Sequence, residues 1–195
     1  MAGGWKGLLP LVLAGFACGG SQVVHGDFVT PVMTQKGPDG TVEQTTDLDG
    51  DGQVDVWTSF REVKAGKDQV RRLMVRKAVD LNRDGRVDIQ MAYDDQGDLV
   101  REELDLDFDG RADVVRHYRK GKPEREDVAS RFDGRIDIRK FYEEGVLVVK
   151  QVDTARNGHF DEFQYFVGNK LARVGWDRDG DGKPEVFEEN PAFTE

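Results

Sequence analysis

DLNRDGRVDIQMAYDDQGDLVREEL, running from Asp80 to Leu104, holds one whole repeat of this chain. It opens on an acidic loop, Asp80 to Asp88. A stretch alternating apolar and polar residues follows and ends on an aromatic, Tyr93. A turn around Gly97 comes next, and then a second extended run that begins Leu99-Val100. Alternation with a period of two marks a strand with two unlike faces. Two such runs joined by a glycine turn make a β-hairpin.

The loop that opens the repeat occurs six times, intact or decayed, as Asp-x-Asp-x-Asp-Gly-x-x-Asp. Its glycines are Gly52, Gly85, Gly110, Gly134, Gly158 and Gly182, and the last four are 24 residues apart. A fixed period of that size means one supersecondary unit copied in tandem. The residue two past each glycine is Val54, Val87, Ala112, Ile136, Phe160 or Pro184. Two further on stand Val56, Ile89, Val114, Ile138, Glu162 and Val186, and four beyond those Phe60, Tyr93, Tyr118, Tyr142, Phe166 and Asn190. Even offsets share a strand face, so the expected packing stripe carries the β-branched residues and, in five of six copies, an aromatic. Turns are expected at Gly66, Gly97, Gly121, Gly145 and Gly168, and a half-repeat at Pro38-Asp39-Gly40-Thr41-Val42. The segment from Gly66 to Val79 is longer than its counterparts, which predicts a longer hairpin tip around Lys67 to Arg72.

The spacing argues against helical readings. Two helices, a loop and a linker need more than 24 residues,. One loop and one helix per repeat would fit the length, but the glycine turn and the alternation oppose it. The predicted fold is all-β: an antiparallel β-hairpin repeat meander or solenoid over residues 31–195, with acidic loops between hairpins. A composition of 37% hydrophobic and 34% charged residues suits a thin structure better than a thick-cored one.

Alternate carboxylates ahead of a glycine are how a short loop surrounds a calcium ion, which takes six to eight oxygens. Four loops are complete. The first has Asp47, Asp49, Asp51 and Asp55; the second Asp80, Asn82, Asp84 and Asp88; the third Asp105, Asp107, Asp109 and Asp113. The sixth has Asp177, Asp179, Asp181 and Glu185, with Glu188 twelfth from Asp177, where an EF-hand carries its bidentate glutamate,. The fourth reads Ala129, Arg131, Asp133 and Asp137, and position alone suggests Arg131 puts a guanidinium where an ion would sit. The fifth reads Asp153, Ala155, Asn157 and Asp161. Asp and Gly are also good turn formers, but that does not explain several carboxylates converging in one loop, where they repel without a cation. About four weak calcium sites are expected, with affinities on the order of 0.1–1 mM.

These loops resemble the EF-hand-like calcium-loop repeats of bacterial surface proteins, including the FG-GAP type, over residues 47–188. FG-GAP units are propeller blades and are longer than these. Six two-stranded units would give only about three blades, so an open meander is the simpler expectation.

The first residues read as an export signal: Lys6, then the apolar Gly7 to Ala17, then the only cysteine, Cys18,. Residues 1–18 resemble a bacterial lipoprotein signal, although Gly15 stands where that motif has Leu. The resemblance implies acylation of Cys18, a membrane anchor and a flexible tether over residues 18–30. Gly19 in place of Asp implies the outer membrane. Gly15-Phe16-Ala17 equally fits ordinary cleavage and secretion, which would leave an unpaired thiol.

A net charge of −10 without a basic patch argues against nucleic acid as a partner. His25, His117 and His159 form no zinc-ligand pattern, and no nucleophile elbow or phosphate loop occurs,. The expectation is a non-catalytic, calcium-binding envelope lipoprotein with a structural, adhesive or scaffolding role, in contact with the membrane and with envelope proteins or polysaccharide. Two alternatives stand beside it: a metal-free β-repeat protein, and a polysaccharide binder using the aromatic ladder.

Overall fold

The computed structural model describes residues 23–25, 28–30, 32–37, 40–66 and 69–193. Cys18 and the signal-like segment lie outside them. Within the stretch expected to be a tether, β1 (Val23–His25) and β2 (Phe28–Thr30) pair antiparallel.

Everything after that is one open antiparallel sheet of 13 strands in strict sequence order. It starts with β3 (Val32–Lys36), β4 (Val42–Thr46), β5 (Val56–Lys64) and β6 (Val70–Val79). Then come β7 (Ile89–Tyr93), β8 (Leu99–Leu104), β9 (Val114–Arg119) and β10 (Lys122–Val128). It closes with β11 (Ile138–Glu143), β12 (Val146–Val152), β13 (Glu162–Val167), β14 (Lys170–Trp176) and β15 (Val186–Glu189). Among the described residues there is no helix. The predicted hairpin meander is therefore the fold. Its connections alternate between two margins, with all six acidic loops along one and the hairpin tips along the other. At the tips after β9 and β11, both turn residues take positive φ: Lys120 and Gly121, Glu144 and Gly145. This suits the twist of two-residue hairpins. Of the long tip expected between β5 and β6, Lys67 and Asp68 lie outside the described residues.

One face carries three cross-strand rows. Nearest the loops, Val56, Val79, Ile89, Leu104, Val114, Val128, Ile138 and Val152 stand side by side, each paired with the next. One step further lies a charged ladder. Arg116 donates to Glu126 at 2.6 Å and to Glu102 at 3.0 Å, and Lys140 reaches Glu126 at 2.6 Å. Beyond it come Phe60, Tyr93, Tyr118, Tyr142 and Phe166. Tyr118 donates its hydroxyl to Glu102 at 3.1 Å, so the aromatic row is tied to the ladder.

Opposite each of these aromatics the pairing slips by one residue, leaving Val75, Val100, Glu124, Val148 and Ala172 as bulges. Bulges steepen the right-handed twist, and here they recur once per hairpin.

The residues two past the glycines do not share the face of the β-branched row. Pro184 lies against Gly175 on the opposite face, where a Cβ on that glycine would come within 2.8 Å of it and 2.9 Å of Phe187. Phe160 likewise sits under the Arg139 guanidinium, 5.1 Å from its ring centre. The chain at these positions belongs to the loop, so strand alternation does not yet govern it.

The sheet is one layer thick, and its burial is inverted. Among the described residues the buried apolar side chains are Val42, Ala78, Val114, Ala129 and Phe163, against eleven buried polar or charged ones. Eight of those eleven are aspartates at the first or ninth position of the loops. The most enclosed side chains are the ends of the acidic loops, while the residues between them are exposed.

Candidate metal centres

Where its first residue is an aspartate, the loop is built around it. The Asp105 carboxylate accepts the N–H of Phe108 at 2.8 Å and of Gly110 at 2.7 Å. Asp47, Asp80 and Asp177 make the same pair of bonds. The ninth residue returns from the far side: Asp113 accepts the N–H of Leu106 at 2.7 Å, and Asp55 and Asp88 do likewise with Leu48 and Leu81. Burying a carboxylate is tolerable only when its oxygens are paired, and these backbone bonds supply that pairing. The ninth residue sits one step ahead of its strand, and its N–H already joins the ladder, as from Asp113 to Leu104 at 2.8 Å.

The turn requires left-handed backbone at the fourth and sixth positions. Glycine occupies every sixth position. The fourth is Gly50, Arg83, Phe108, Phe132, Arg156 or Gly180, all with positive φ.

The first, third and ninth side chains converge. Asp47, Asp49 and Asp55 bring carboxylate oxygens within 4.8 Å of one another, as do Asp105, Asp107 and Asp113, and Asp177, Asp179 and Glu185. In the second loop Asp80 and Asp88 hold the same backbone bonds, and Asn82 fills the third position with a neutral amide oxygen accepting from Asp84 at 3.0 Å. The fifth residues flank the triads, and the charge of Asp109 acts on Asp107. Asp51, Asp84, Asp109 and Asp181 each accept the N–H two residues on, at 2.7 to 2.9 Å. Glu188 is also outside the triad, exposed on β15 opposite Val174.

The electrostatics reflect this crowding. For Asp47, burial pushes the carboxyl up, but the N–H groups of Gly52 and Gly50 outweigh it and hold it below the ordinary value. Asp177 is lowered in the same way by Gly180 and Gly182. Asp107 goes the other way. Desolvation raises it first, and the neighbouring Asp109, Asp113 and Asp105 add repulsion. The donor set is all oxygen and mostly anionic, which is compatible with a metal ion,.

Arginines of the second, third and fourth loops pair with loop carboxylates, Arg86 with Asp84 and Arg111 with Asp109 at 3.9 Å. In the fourth, the Arg131 Nε lies 3.5 Å from Asp137, which also accepts the Ser130 hydroxyl at 2.7 Å. Ala129 replaces the first aspartate and is fully enclosed. Arg83 of the second loop reaches back to Asp49 of the first at 2.7 Å. Nothing in the linear pattern marks that contact; only the stacking of neighbouring loops creates it. The stacking is continuous, because each loop's first N–H, such as that of Asp105, donates to the ninth carbonyl of the loop before, here Asp88 at 2.8 Å.

Comparison with protein-family models, curated proteins and solved structures finds no match to this chain.

Proposed function

We propose that this chain is a calcium-binding, non-catalytic element of the bacterial cell envelope, anchored through a lipid on Cys18 and stiffened by cations along its loop margin. The observation that carries the reading is the set of three convergent carboxylate triads, in a sheet that buries more aspartate than aliphatic side chain. The first, third and sixth loops are the principal sites, and the second, with Asn82, is the fourth. Bound calcium would neutralise carboxylates that otherwise repel, and a ligand taken up only by the folded state stabilises that state. The ion thereby substitutes for a thick apolar core.

Trp57, in β5 just past the first loop, and Trp176, at the end of β14 before the sixth, are natural reporters. Calcium at millimolar concentration should change their fluorescence and raise the melting temperature, and chelator should reverse both. An unchanged spectrum and melting temperature would refute the reading. Fatty-acid labelling that disappears in Cys18→Ser would establish the anchor.

A further inference from the structure

The two outer strands of the sheet are finished differently. On the short β15, Glu188 and Glu189 stand exposed. Its pairing with β14 runs on to Asn190, whose N–H donates to the Ala172 carbonyl at 2.8 Å. Antiparallel strands turn alternate residues toward each neighbour, so Phe187 and Glu189 present their N–H and C=O groups outward. The next residue in that phase is Pro191, which has no N–H. Short length, like charges and a proline keep an edge from adding a further strand.

β3 lacks a proline and is charged only at its last residue, Lys36. Across its tip, Gly37 donates to the Thr41 carbonyl at 2.8 Å. The register sets Gln35 against Glu43 and Met33 against Thr45 in the same phase. Val32, Thr34 and Lys36 therefore turn their N–H and C=O groups away from β4. Among the described residues no strand pairs with that side. Met33 is 63% exposed, on a strand where a guarded edge would carry charge.

The open row is self-complementary. A second β3 running antiparallel sets Thr34 opposite the partner's Thr34 and Val32 opposite the partner's Lys36, with every such pair in hydrogen-bonding phase,. The two lysines then lie at opposite ends, and Met33 meets the partner's Gln35. The same operation on β15 would set Glu188 directly opposite its own copy, which is unfavourable. The acidic loops favour the arrangement too. β3 starts at the loop margin and ends at a tip, so a two-fold axis through Thr34 points the two acidic margins in opposite directions. Joining β3 to the β15 of a copy in the same orientation would be parallel and would line those margins up.

We infer that β3 is a dimerisation edge: two copies join through antiparallel β3 strands, about a two-fold axis at Thr34, into one continuous sheet. The contact is isologous and closed, and it stands independently of the cation reading.

The test uses the full chain with Cys18→Ser, which removes the only cysteine and with it the proposed acyl site. Sedimentation velocity over a concentration series should show a monomer–dimer equilibrium. Thr34→Pro deletes the outward N–H at the axis, a group the sheet of one copy does not use, and proline is accepted at such edge positions. The dissociation constant of the dimer should rise about tenfold or more, with circular dichroism unchanged. Thr34→Cys should cross-link two copies under mild oxidation, because a hydrogen-bonded antiparallel pair holds its Cα atoms about 5.5 Å apart, within disulfide reach. Phe187→Cys, in the outward phase of β15, should not. A monomer at every concentration overturns the inference, and so does a dimer untouched by Thr34→Pro. Faster cross-linking of the Phe187→Cys protein assigns the contact to β15 and overturns it. Open-ended polymers indicate a head-to-tail join and overturn it as well. If Thr34→Pro unfolds the chain, presence or absence of the Thr34→Cys cross-link decides.

Discussion

Asp107 and Asp47 sit in equivalent loops, at the third and first positions, and respond oppositely to the same crowding. Asp47 is rewarded with two backbone N–H donors, whereas Asp107 accepts the N–H of Asp109 at 3.2 Å and faces three other carboxylates. A lowered carboxyl such as Asp47 or Asp177 contributes stability that is present above its unfolded pKa and is lost as pH falls through the folded one. In chelator, the fold should therefore weaken below about pH 4, a transition that circular dichroism can follow. The raised Asp107 has the reverse sign: its charged form is disfavoured at neutral pH, and protonation or a cation relieves it. Asp107→Asn should thus raise the melting temperature in chelator and shrink the rise that calcium produces. The acid pattern was plain in the sequence, but its split was not. The third- and fifth-position aspartates alike accept the N–H two residues on, and that turn depends on backbone dihedrals that spacing does not encode. Arg83 was equally illegible, because its partner Asp49 belongs to a different loop.

The hairpins themselves were legible, because period-two alternation and glycine turns act locally. The bulges were not. Val100 and Val148 continue an apolar run without any sign that they will be skipped by the partner strand, and the slip appears only once Tyr93 and Tyr142 find Leu99 and Leu147 opposite them. The cross-strand ladder is likewise an emergent property of register. Glu126 is buried between Arg116 and Lys140, whose attraction holds its carboxyl below the ordinary value despite the opposing desolvation. Glu126→Gln leaves two cations short of an anion and should cost about 1.5–3 kcal/mol in denaturant unfolding. The fourth loop offers the complementary experiment. Ala129 stands where the other loops accept two N–H groups, and Arg131 occupies the neighbourhood of Asp137. The double change Ala129→Asp and Arg131→Asp rebuilds the acidic set, and isothermal titration should register one additional calcium per chain.

Across the whole molecule, each hairpin touches only its neighbours in sequence, and stability is the sum of repeats and the contacts between them. Cations bound along one margin would act on that sum directly. At free calcium ten times the dissociation constant, each occupied site adds about 1.4 kcal/mol. With several sites filled, the melting temperature should climb by several degrees in scanning calorimetry and fall back on chelation. The strictly sequential strand order has a mechanical consequence as well. β3 and β15 are the outermost strands, so tension between the chain's ends runs across the strands and opens their hydrogen bonds in succession, like a zip. Each 24-residue repeat released in this way lengthens the chain by roughly 70 Å. A molecule so built yields in small increments under load, with each acidic loop serving as a catch between one increment and the next.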